Sequence, residues 1–119
     1  MGCAGLSGSG QQSRKSVIIT IDLDRRQEFF DQLRKFAEVN GFSILIDTLS
    51  SSDEEFQIYM TREDITISGA TAFELEEYHI GFYDRDNVHF APETVFEDLV
   101  SELERYVSEV PGTTFFIRK

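Results

Sequence analysis

A regular alternation of apolar and polar residues, repeated in consecutive segments between residues 42 and 84, constrains the fold most strongly. In each segment the apolar side chains fall on every second position, which is typical of strands with one buried and one solvated face. Turn-forming residues separate the segments, and the whole run predicts an antiparallel meander of four strands. The four segments are 42–49, 55–61, 65–69 and 77–84.

Two helical segments and two further strands flank this meander. Residues 25–40 carry apolar side chains at three- and four-residue spacing, after a capping Asp24 and before the Asn40-Gly41 stop. A second amphipathic helix is predicted from Pro92 to residue 110, where Pro111-Gly112 ends it. The β-branched and aromatic segments at the two ends of the globule, 17–23 and 113–117, predict strands.

The order β-α-β-β-β-β-α-β predicts an α+β fold, with two helices packed on one face of a mostly antiparallel sheet. This order is close to a ferredoxin-like plan with an extended meander. We expect the first and last strands to lie centrally, because each adjoins a helical crossover. Residues 17–119 form one domain of ordinary size, and the Gly-, Ser- and Gln-rich residues 1–16 form a disordered tether.

The net charge of −11 is unevenly distributed along the chain. Residues 50–110 hold sixteen acidic residues and only three basic ones, Arg62, Arg85 and Arg105. A surface of this sign repels phosphate backbones, so we expect no nucleic-acid binding and no direct contact between the globule and an anionic membrane. The charge serves either solubility or the steering of a basic protein partner.

No arrangement of residues predicts catalysis, a metal site or a cofactor. The two histidines, His79 and His89, are expected on a strand and a loop at the surface, although both together with Asp84 or Asp86 could form a metal site. Asp84-x-Asp86 resembles the start of a calcium loop, but the following residues lack the oxygen ligand and the glycine that the loop needs. We therefore interpret this segment as a polar turn and the protein as a non-enzyme.

The outward positions of the predicted strands share polar and aromatic side chains that can bind proteins or glycans, because tyrosine combines contact area with a polar tip. An ordinary solvated sheet face is the alternative interpretation. The candidate binding face consists of Tyr59, Thr61, Thr66, Ser68, His79 and Tyr83.

The start of the chain, Gly2-Cys3-Ala4, resembles the junction at which bacterial lipoproteins are cleaved and lipidated on the cysteine. The Gly- and Ser-rich segment that follows resembles the tether of such proteins. The resemblance implies a lipid on Cys3, a hydrophobic signal segment encoded before Gly2, and a Met1 that is not native. Ala4 after the cysteine resembles the outer-membrane sorting class, so the implied location is the outer membrane of a bacterial envelope.

Two other interpretations of these residues stay open. Met1-Gly2-Cys3 also resembles eukaryotic proteins acylated at Gly2 and Cys3, although Leu6 stands where that pattern has Ser or Thr. The third interpretation is an unmodified tail.

The globule itself resembles small uncharacterised bacterial lipoproteins. The resemblance is carried by structural motifs and implies a fold without an activity. These motifs are Asn40-Gly41-Phe42, Gly81-Phe82-Tyr83-Asp84 and Val110-Pro111-Gly112.

Two functional hypotheses lead, and a third, an enzyme with His79 or His89 in a pocket beside a carboxylate, stays open. The first is a non-enzymatic envelope lipoprotein that acts as a binding or structural module, touching the membrane only through Cys3 and acting on a protein or another envelope component. The second is a soluble, cytoplasmic inhibitor of the immunity type, whose acidic surface binds a basic protein.

Overall fold

The computed structural model describes residues 13–48, 56–71, 77–85 and 90–118. Predictions for the tether up to residue 12, for the turn at 50–53 and for Asp86 and His89 lie outside these ranges. The described chain contains six strands, two α-helices and one short 3-10 helix. In chain order they are β1 (Lys15–Thr20), the 3-10 helix (Leu23–Arg25), α1 (Arg26–Asn40), β2 (Ser43–Thr48), β3 (Phe56–Thr61), β4 (Ile65–Thr71), β5 (Glu77–Asp84), α2 (Glu93–Val107) and β6 (Thr114–Arg118).

The strands form one sheet in the order β2-β3-β4-β5-β1-β6, and every neighbouring pair is antiparallel. The first strand lies between the last two strands of the chain, as in a ferredoxin-like plan, and the other strands of the meander extend the sheet on one side. The predicted α+β class and element order are confirmed. The central position predicted for the last strand is wrong, because the α2 crossover passes over β1 and places β6 at the sheet edge.

Several element ends differ from the sequence-based boundaries. Lys15 and Ser16, assigned to the tether, belong to β1. The predicted cap Asp24 is wrong, because the Asp22 carboxylate accepts a hydrogen bond of 3.0 Å from the Asp24 amide and starts the 3-10 helix instead. Helix α2 ends at Val107, three residues before the predicted end, and turn hydrogen bonds such as Val110 N to Val107 O follow it.

One aromatic cluster joins helix α1 to the inner face of the sheet. The ring centroids of Phe30 and Phe56 lie 4.5 Å apart, and those of Phe56 and Tyr78 lie 4.7 Å apart. Gly69 of β4 leaves room for this cluster, since a Cβ there would lie 3.1 Å from the Tyr78 ring. Burial raises the pKa of Tyr78, and its hydroxyl makes no hydrogen bond of good geometry. Tyr78 therefore acts as an apolar core residue.

We predict that Phe56→Ala lowers the free energy of unfolding by about 3–5 kcal/mol, because it leaves a cavity between helix and sheet. Phe116→Ala on the outer face is the matched control and should change the unfolding free energy by no more than about 0.5 kcal/mol. Guanidinium denaturation followed by circular dichroism measures both. Equal midpoints for the two variants would contradict the packing described for this cluster.

Candidate functional site

The outer face of the sheet carries no helix, because both described helices pack on the inner face. Cross-strand pairing places Tyr59 opposite Leu45 on one side and Ser68 on the other. The same row continues through Gly81 to Ser16 of β1. Rows of this kind bring residues that are far apart in sequence onto one continuous surface.

All six residues of the predicted binding face lie on this surface. Thr61 pairs with Thr66, which in turn pairs with Tyr83, and these form a second row. His79 pairs with Ala70 on one side and with Ile18 of β1 on the other, in the middle of a third row. The alternation of apolar and polar residues in β3, β4 and β5 was sufficient to predict that these six side chains share one face. That this face binds a partner stays a prediction.

A shallow groove of about 440 Å³ runs across the middle of the face. Small residues, including Ser16, Ser68 and Gly81, line it together with Tyr59, His79 and Tyr83. A Cβ on Gly81 would lie 2.7 Å from the Tyr83 hydroxyl oxygen, so the Tyr83 ring lies across the glycine. A side chain at position 81 would therefore displace the Tyr83 ring from its present place.

Two large apolar side chains on this face escaped the sequence analysis. Leu45 of β2 is 62% exposed and lies opposite the 52% exposed Tyr59. Phe116 of β6, near the other end of the sheet, is 64% exposed. Both point outward from edge strands, where a solvated face would carry polar residues. The sequence did contain a signal for these residues, namely an apolar residue at an outward position of a predicted strand.

The face offers binding groups without an evident catalytic arrangement. His79 Nε2 lies 2.9 Å from Glu77 Oε1, its neighbour but one on β5, and both side chains are partly exposed. Within the described ranges, no three His, Cys, Asp or Glu side chains come together in a way that could hold a metal ion. Asp84, which the sequence analysis interprets as part of a polar turn, is buried and forms an ion pair with Arg14.

Asp84 is the centre of a cluster that joins three elements. Its carboxylate accepts a 2.7 Å bond from Arg14 and a 2.9 Å bond from the Ala91 amide. The Arg14 guanidinium also lies 4.6 Å from the Phe96 ring centroid and 3.3 Å from Glu93, which pairs with Lys15 at 3.0 Å. The cluster holds the start of β1 against the end of β5 and the start of α2.

The charges of this cluster stabilise one another. The hydrogen bond to Asp84 raises the pKa of Arg14. Hydrogen bonds from Lys15 and then Arg14 lower the pKa of the Glu93 carboxyl. Both pKa shifts favour the charged forms of Arg14 and Glu93, so each of these ions is stabilised by an oppositely charged neighbour.

The anchoring residue predicted from sequence, Cys3, lies outside the described residues. Within the described residues, neither helix combines the length and the apolar character needed to cross a bilayer. No protein-family model and no curated protein sequence matches the chain. The resemblance to bacterial lipoproteins therefore stays a prediction from the residues themselves.

We predict that Asp84→Asn lowers the free energy of unfolding by about 1–3 kcal/mol, because it removes the charge that Arg14 faces. Asparagine keeps an oxygen for the Ala91 amide but turns its NH2 group toward Arg14, so the change removes both the charge and the hydrogen bond of the pair. Asp98→Asn on the exposed side of α2 is the control and should leave stability within about 0.5 kcal/mol. Combining Asp84→Asn with Arg14→Gln should cost less than the two single losses together. Additive losses in urea denaturation would contradict the pair.

Proposed function

We propose that this protein is a non-enzymatic binding module held at a bacterial envelope by a lipid on Cys3, with the outer sheet face as its binding surface. The observation that carries the binding part is the combination of large exposed side chains, Leu45, Tyr59 and Phe116, on a sheet face that no described helix covers. Aromatic side chains of this kind are enriched in protein interfaces.

The shape of the face favours a protein partner over a small ligand. Six strands at a spacing of about 4.8 Å give a surface about 24 Å wide. Its groove is open and shallow, whereas small-molecule sites enclose most of their ligand. The mixture of hydroxyl groups, such as Ser68 and the Tyr83 phenol, with apolar contacts suits the polar and apolar pattern of an interface.

The anchoring part is supported by the residues at the start of the chain. Gly2-Cys3-Ala4 has the pattern of a lipidation junction, and the composition of residues 4–12 is that of a tether. Fully extended, the ten residues from Ala4 to Ser13 would span up to about 35 Å. That length is enough to separate the globule from a membrane surface.

The acidic charge supports the second candidate, a soluble inhibitor of a basic protein. Exposed carboxylates such as Glu97, Asp98 and Glu104 lie along α2, and Arg105 is the one basic residue of that helix. A field of this kind raises the association rate with a basic partner and depends on ionic strength.

We predict that the protein isolated from its native host carries a mass increase at Cys3 and partitions into the detergent phase of a Triton X-114 separation. The physical reason is that acyl chains on the cysteine provide about 0.8 kcal/mol of membrane affinity per buried methylene. Cys3→Ser is the matched control and should lack the added mass. Its readout is the mass and not the partition, because an uncleaved signal segment would itself enter the detergent phase. An unmodified wild-type protein in the aqueous phase would refute the anchor and leave the soluble inhibitor as the better candidate.

We predict that a photo-crosslinking residue at Tyr59 captures a discrete protein partner in the native host, because this exposed position lines the groove of the outer face. The same residue at Glu38, exposed on α1, is the control and should capture no such band. Leu45→Ser combined with the Tyr59 probe should weaken the band. Equal capture from both positions would contradict a binding function for the face.

A further inference from the structure

Strand β6 presents an open edge to its surroundings. It pairs with β1 on one side, and no other described strand pairs with it. An edge of this kind leaves a row of backbone N–H and C=O groups available for a further strand. Phe116 on the outer side and the 46% exposed Ile117 on the inner side add apolar contact area to it.

An acidic flank of α2 lies on the same side of the molecule as this edge. Glu97 and Glu104 are seven residues apart and share one side of the helix with Glu93. Arg14 and Lys15 already pair with Glu93, so the charge of the flank comes from Glu97 and Glu104. Glu93 binds Lys15 of β1, whereas Tyr106 on the opposite side of α2 lies 6.2 Å from Phe36 of α1. The flank therefore faces away from α1 and toward β6.

The acidic flank argues against a second copy of the chain as the occupant of this edge. Two β6 strands that pair in antiparallel fashion would place both α2 helices side by side on the same face of the joined sheet. Their acidic flanks would then oppose each other, in chains that each carry a net charge of −11. Such like-charge contacts are unfavourable.

The other edge of the sheet lacks this combination. Strand β2 carries Asp47 on its exposed outer side, and its inner residues Ile44 and Ile46 pack against the core. Helix α1 packs near β2, and its exposed face mixes Lys35 and Glu38. Beside β6, the exposed carboxylates of Glu97 and Glu104 favour a basic partner along α2, whereas Arg14, Lys15 and Arg118 make the Arg118 end of this edge basic.

We propose that the β6 edge binds an extended segment of a partner protein as a seventh strand, with basic side chains toward the acidic flank and apolar side chains beside Phe116. Main-chain hydrogen bonds provide affinity in this mode, and the alternating side chains provide specificity. The inference rests on the proposed binding function and names the class of partner: a basic, alternating β-segment.

The test is a titration of the ¹⁵N-labelled full chain with the peptide acetyl-Lys-Val-Lys-Val-Lys-Val-amide, followed by NMR. We expect saturable shift changes at the backbone amides of residues 114–118 and at Glu97 and Glu104. The corresponding Glu-Val peptide and a Lys-Val peptide with N-methylated valines are the controls. Both should bind at least about ten-fold more weakly, because one reverses the charge and the other removes backbone donors.

A charge-matched pair of variants tests the flank. Glu97→Lys with Glu104→Lys should weaken the Lys-Val peptide about ten-fold, since two favourable charge contacts become repulsive. Asp98→Lys with Glu38→Lys changes the net charge equally at exposed positions outside the flank and should weaken binding by no more than about two-fold.

Four outcomes would overturn the inference. They are an absence of saturable binding at millimolar peptide, shift changes centred on β2 or on the outer groove, equal weakening in the two charge variants, and self-association through β6 in the peptide-free protein. Capture of a partner at Tyr59 is a separate readout. If that capture succeeds and the β6 titration fails, the binding function stands and only the strand-pairing inference is lost.

Discussion

The packing of both helices against one face of the sheet determines what the other face can do. Phe29, Phe30, Phe36 and Phe96 are all fully or almost fully buried, and each comes from a helix that packs on the inner face. Once these side chains are buried between one sheet and two helices, the described chain has no further element to cover the outer face. Leu45, Tyr59 and Phe116 remain exposed for this reason and give a small acidic domain an apolar surface.

The alternation of side chains made the meander and its faces predictable, whereas the position of the last strand was not. In β3, Phe56, Ile58 and Met60 alternate with Gln57, Tyr59 and Thr61, so strand identity and inward direction follow from period two. The last strand was expected inside the sheet because it adjoins a helical crossover, and this prediction is wrong because β6 lies at the edge beyond β1. Local sequence does not reveal that the α2 crossover continues past β1.

The Asp84 cluster shows a second limit of sequence reasoning. Arg14 stands among Ser, Gln and Gly residues, and composition places it in a tether. Its partner is seventy residues away, and only the antiparallel pairing of β1 with β5 brings the two side chains together. Asp84 has the local context of a turn or metal ligand, yet it is buried beside a guanidinium. Charge pairing across a sheet depends on register, which the local pattern does not determine.

The two surfaces argued to bind partners meet at Phe116. This residue belongs to the row of Gln57, Ala70, His79 and Ile18 on the outer face, and it is also the middle residue of the open edge. A strand added at β6 would extend the outer face by one strand and would cover part of the Phe116 ring. The edge and the face therefore form one continuous surface. Backbone pairing at β6 sets the position of the partner strand, and the outer rows contact the part of the partner next to that strand. The acidic flank of α2 lies on the inner side of the same edge, so the charge that disfavours a second copy also selects the sign of the partner.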